Sequence, residues 1–177
     1  MPSTRYTRTA IALHWLLALG LLGLLALGAI MTSLPFSPAR LKLYNWHKWA
    51  GIVVLALSIV RLAWRLTHRP PADVAMPVWQ QRVAHAMHGL LYLLFLAVPL
   101  VGWAYSSAAG FPVVLFGLWP LPDFVTADRL LAETLKSLHG TLAWALLALI
   151  VVHVAAAFKH QLVDRDGLLQ RMLPQRV

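Results

Sequence analysis

Residues 138–160 read LHGTLAWALLALIVVHVAAAFKH. A helix needs about 20 apolar residues to cross the roughly 30 Å hydrocarbon layer of a bilayer, and this run is long enough. Before Lys159 its ionisable side chains are His139 and His153, fourteen residues apart. At about 1.5 Å and 100° per residue, that spacing is about 21 Å of rise and four turns less about 40°. The two imidazoles therefore share nearly one helix face, one near each leaflet. An ionisable group inside a span is costly and reads first as functional.

Three more runs qualify as spans, at about residues 10–31, 43–66 and 83–105. Only 12% of the 177 residues are charged, against about 25% in ordinary soluble domains. A cytosolic enzyme and a disordered chain are excluded on that count. The +9 net charge does not point to nucleic acid, because the basic residues gather at the ends of apolar runs. Cysteine is absent, which removes disulfides, iron–sulfur clusters and covalent c-type haem attachment. A cleaved signal peptide fits the first run poorly: it is too long, and Pro35–Pro38 is no small-residue cleavage site.

Orientation follows the Lys and Arg distribution. Ten of the fifteen (Arg5, Arg8, Arg61, Arg65, Arg69, Arg82, Lys159, Arg165, Arg171, Arg176) fall on one side, and Arg40, Lys42, Lys48, Arg129 and Lys136 on the other. Both termini are therefore expected in the cytoplasm. Trp15, Trp46, Trp64, Trp79, Trp103 and Trp119 fall near the expected interfaces. The 67–81 link, with three prolines, reads as a short rigid connector. The apolar, proline-broken stretch 111–124 reads as a cap on the outer surface.

Depth then pairs the histidines. His14 lies early in the first span, level with His153, and His47 early in the returning second span, level with His139. A low-spin b-type haem takes two axial imidazoles without covalent attachment, so His14/His153 and His47/His139 suit two haems stacked across the membrane. Arg61 lies fourteen residues after His47, on the same face at the depth of the inner pair. No Asp or Glu falls in any span, and a haem propionate would answer this guanidinium. The alternative is that Arg61 snorkels to the cytoplasmic surface. His85 and His88 sit level with His14, and either would serve in its place. Otherwise they line the inner haem's edge, bond a propionate or belong to a proton path. His68 reads as a loop residue. His160, two turns beyond His153, faces headgroups or a quinone. The glycines in and beside the spans leave room for a macrocycle or, equally, for close helix packing.

The pieces Arg8-Thr-Ala-Ile-Ala-Leu-His14-Trp, Trp46-His47 with Arg61-Leu, Ala84-His85-Ala-Met-His88, Leu135-Lys136-Ser-Leu-His139 and His153-Val-Ala-Ala-Ala resemble the bacterial cytochrome b561 family. Within it the chain is most similar to the membrane-bound superoxide oxidases. The resemblance covers nearly the whole chain. It implies an all-α, integral membrane four-helix bundle in the bacterial inner membrane, with two b-type haems on His14, His47, His139 and His153. It implies oxidation of superoxide outside and reduction of ubiquinone. Arg40 and Lys136 are the candidate catalytic cations, part of a positive outer funnel that would steer the anion; a merely solvated face is the plain alternative. His160, Arg8 and Trp64 are candidates for the quinone, and a quinone site near the outer haem is the alternative. Two other functions compete. One is an electron-transfer subunit serving a periplasmic dehydrogenase, hydrogenase or c-type cytochrome. The other is a His-lined metal transporter, weakened by the lack of carboxylates in the spans.

Overall fold

The computed structural model describes residues 5–174; Arg176, counted above on the cytoplasmic side, lies outside them. Four long helices make the bundle: α1 Arg8–Ser33, α2 Pro38–Thr67, α3 Val78–Ala108 and α4 Arg129–Lys159. All four are long and apolar enough to cross a membrane. α1 packs on α2, α2 on α3, and α3 on α4. Gly20 permits the first of these contacts: a Cβ there would lie 2.9 Å from Val54 Cγ2.

All four helices start before the apolar runs, α1 by two residues only, and at α2 and α4 a side-chain cap rather than hydropathy sets the start. The Asp128 carboxylate accepts from the Leu131 N–H at 2.7 Å and starts α4 nine residues before the apolar run that begins at Leu138. The Ser37 hydroxyl accepts from the Arg40 N–H and starts α2 with Pro38 in its first turn. Pro77 precedes α3. The helices therefore project beyond the hydrocarbon, and the connections shrink.

The two ends of the described chain, around Arg5 and Leu173, lie together at one end of the bundle, called the termini side. The connection between α3 and α4 lies at the other, the loop side. There a two-residue hairpin, β1 Val114–Leu115 with β2 Trp119–Pro120, folds over α2. The Trp49 indole donates to the Val114 carbonyl at 2.6 Å, and Val113 is buried beneath. This is the cap expected of residues 111–124. On the termini side, the segment after α4 passes through a π turn at His160–Asp164 and a 3-10 turn at Leu169–Met172. Its carbonyls receive Arg5 (Gln170 O, 2.7 Å; Leu173 O, 2.9 Å) and the Trp15 indole (Met172 O, 2.7 Å). It thus ties the start of the chain to its end.

The apolar core is a single layer at mid-height: Leu17 and Leu21 of α1, Val54 of α2, Leu91, Leu94 and Val98 of α3, and Leu146 of α4. Leu146 lies seven residues from both His139 and His153, and Val54 seven from both His47 and Arg61. One aliphatic plug therefore separates two polar layers, and large aliphatic side chains elsewhere face outward toward lipid.

Candidate functional site

Each polar layer is assembled by the same spacing. Fourteen residues separate His14 from Gly28 on α1, His47 from Arg61 on α2, His88 from Gly102 on α3 and His139 from His153 on α4. Because alternate helices run in opposite directions, the loop-side layer holds Gly28, His47, Gly102 and His139. The termini-side layer holds His14, Arg61, His88 and His153.

In the loop-side layer the His47 and His139 ring centroids are 6.2 Å apart. In the termini-side layer His14 and His153 are also 6.2 Å apart. Two metal–imidazole bonds of about 2 Å each, plus about 1 Å from each nitrogen to its ring centre, require a separation of about 6 Å. Both pairs fit a metal held between two axial imidazoles. All four rings are half-buried, whereas His68, His85 and His88 are exposed. The His47 Nδ1 is buried without a partner among the described residues.

The glycines explain how the loop-side rings are placed. A Cβ on Gly102 would lie 2.8 Å from His139 Cε1 and 3.0 Å from its Nδ1; one on Gly28 would lie 3.4 Å from His47 Cε1. Glycine at 102 opens α3 at the Val98 carbonyl, and His139 Nδ1 donates to that oxygen at 3.0 Å. This bond fixes the ring and leaves Nε2 for a metal. Neither glycine stood out in the sequence, although the fourteen-residue spacing from His14 and His88 marks both.

The termini-side layer is more polar. Arg61 Nη1 donates to the Ala10 carbonyl at 3.4 Å, and its guanidinium lies 5.9 Å from the Tyr92 ring; among the described residues no carboxylate meets it. The His88 ring lies 5.5 Å from that of His153, and its Nδ1 is turned back to the Ala84 carbonyl at 2.7 Å. Trp15 packs edge-on against His14 at 5.3 Å. His85 instead turns outward to Asp73 at 3.1 Å.

His160 closes α4 with its ring held by carboxylates. Its Nδ1 meets Asp166 Oδ2 at 2.6 Å and Asp164 Oδ2 at 3.2 Å, and Lys159 pairs with Asp164 at 2.6 Å. Burial pushes the Asp166 carboxyl up, but the Leu168 N–H and the His160 ring pull it further down, to below the ordinary carboxylate value. Trp64 donates to Thr7 Oγ1 at 3.1 Å and stacks on His68 at 3.7 Å, and Arg8 is exposed.

Four of the five loop-side cations are engaged. Arg40 donates to the Tyr44 hydroxyl at 3.2 Å, Lys42 lies over Trp46, Lys48 donates to the Phe111 and Pro112 carbonyls, and Arg129 pairs with Glu133. Lys136 alone makes no such contact among the described residues. It borders an open groove of about 460 Å³ with Tyr105, Asp128 and Glu133, one turn before His139.

Known proteins are similar to the chain over nearly its whole length. The family model for prokaryotic cytochrome b561 matches residues 5–175. A cytochrome b561 homologue of Escherichia coli K12 is 34% identical over 171 residues, covering 96% of this chain and 91% of its own. A second from the same organism is 33% identical, covering 97% and 98%. A protein of Yersinia pestis named a probable superoxide oxidase is 33% identical, with 97% of each chain covered. The chain belongs to the prokaryotic cytochrome b561 family of membrane electron-transfer proteins that bind b-type haem.

Proposed function

We propose that the chain is one transmembrane domain holding two b-type haems and carrying electrons from superoxide at the periplasmic face to ubiquinone. The observation that carries this reading is the pair of facing imidazoles repeated at 6.2 Å in two layers, one on each side of the aliphatic plug. His47 and His139 would hold the periplasmic haem, and His14 and His153 the cytoplasmic one. Bound there, b-type haem supplies reversible one-electron transfer. Among the described residues, nine cations at the termini side against five at the loop side support cytoplasmic termini in the inner membrane.

The residues have distinct tasks. Lys136 attracts the superoxide anion to the groove above His139, and Arg40, held by Tyr44, adds to the positive field there. Arg61, which meets no carboxylate among the described residues, would pair with a haem propionate. His160, paired with Asp166, is a polar group at the cytoplasmic membrane surface where a quinone headgroup can bond. The chemistry balances as two superoxide ions giving two electrons and two O₂, while ubiquinone takes two electrons and two protons to become ubiquinol. The Yersinia relative's name favours superoxide as donor.

The competing reading, a subunit that accepts electrons from a periplasmic redox protein, draws on the exposed Phe111, Phe116, Leu118 and Trp119 around the loop-side hairpin. Purified protein in vesicles, with a superoxide-generating system and ubiquinone, separates the two. We expect two b-type haems per chain and quinone reduction that superoxide dismutase abolishes. Reduction only when a periplasmic donor protein is added would establish the other reading, and one haem or none would remove the dihaem arrangement.

A further inference from the structure

The two histidine layers differ in everything but their imidazole pairs. On the loop side the remaining two positions are Gly28 and Gly102, which carry no charge, and the His139 Nδ1–H donates to the Val98 carbonyl at 3.0 Å. On the termini side those positions are Arg61 and His88, and among the described residues neither His14 nor His153 donates to a carbonyl.

We infer that the Val98 carbonyl and Arg61 set the two haem sites at different potentials, the termini-side site holding an electron more tightly than the loop-side one. This rests on the dihaem reading above. A hydrogen bond from Nδ1–H to a carbonyl makes the imidazole a stronger donor, which favours oxidised iron on the loop side. The Arg61 guanidinium, which meets no protein carboxylate among the described residues, favours the added negative charge of the reduced state on the termini side, and by pairing with a propionate it would offset that group's negative charge as well. The two effects act in the same direction. An electron entering at the loop side therefore moves downhill through the plug, and Arg61 is a residue that sets direction as well as one that binds.

The test is a potentiometric titration of the full-length protein in detergent, followed by optical and low-temperature EPR spectra. Two transitions are expected, and His47→Ala should remove the lower-potential one. Arg61→Gln should lower the higher transition and leave the other in place, and Arg61→Lys should restore most of the difference. Loss of the higher transition in His47→Ala would overturn the inference while leaving the dihaem reading of the parent intact. So would an Arg61→Gln shift confined to the lower transition, or Arg61→Lys behaving like Arg61→Gln. A single transition from a single haem per chain would instead overturn the dihaem reading, and this inference with it.

Discussion

Replacing Gly102 by alanine separates the stability of the bundle from the integrity of its loop-side site. The new Cβ would start 2.8 Å from His139 Cε1 and 3.0 Å from Nδ1. Carbon atoms sit comfortably at about 3.5 Å or more, so the ring must retreat by about 0.7 Å. That movement takes Nδ1 from 3.0 Å toward or beyond about 3.5 Å from the Val98 oxygen, where the hydrogen bond is lost. Losing a neutral hydrogen bond costs about 0.5–1.5 kcal/mol. Against it, alanine is favoured over glycine inside a helix by about 1 kcal/mol. The two nearly cancel, so the apoprotein should melt within a few degrees of the parent. The haem site has no such compensation. Removing a partner that orients a metal ligand lowers affinity by about 10–100-fold. We expect Gly102→Ala to fold, keep the termini-side haem and lose much of the other, read as haem per chain by pyridine haemochrome beside a circular-dichroism melt. Gly28→Ala, whose Cβ meets His47 at 3.4 Å, should do this more weakly. Gly23, half a turn round α1 from His14 with nothing within 4 Å of its Cβ, is the control and should keep both haems. Two haems with unchanged spectra in Gly102→Ala would refute the role assigned to glycine and the Val98 carbonyl.

Two further substitutions probe the other assignments. Lys136→Glu should slow the reaction with superoxide by about tenfold and flatten its dependence on ionic strength, since steering by a local field contributes about 10–1000-fold to encounter rates; stopped-flow quinone reduction across a salt series reads this, and an unchanged rate removes Lys136 from the encounter. His14→Ala should leave about one haem per chain, whereas His88→Ala should retain two, its ring being exposed and turned back to Ala84; the reverse pattern in haem counts transfers the ligand role to His88.

Why some of this was legible in the sequence and some was not follows from what each feature costs. Histidines in an apolar helix are expensive, so the few present could be paired by depth, and the structure brings those same rings together in two layers. Their glycine partners cost almost nothing and look like ordinary packing residues until the neighbouring ring is seen. Helix ends were not legible, because hydropathy reports hydrocarbon thickness, whereas Ser37 and Asp128 supply hydrogen bonds that extend α2 and α4 beyond the apolar runs. The partners of His160 were not legible, because the chain beyond it widens into a π turn that ends at Arg165 in the left-handed region (φ 53°) and brings Asp164 and Asp166 back to the ring. The cations at the loop end could be counted but not sorted. Whether Lys48 meets loop carbonyls depends on a cap folded back from more than sixty residues away.

The fourteen-residue spacing on all four helices ties these points together. It places each layer's contents at one height, and the identity of the residue at each of the eight positions then decides what that height can do. Four imidazoles supply two equivalent pairs. Two glycines against two polar side chains, Arg61 and His88, make the pairs inequivalent. An electron path with a direction needs both properties: repeated sites close enough to exchange electrons, and a difference between them. The repeat comes from helix geometry, and the difference from residues that hold no metal at all.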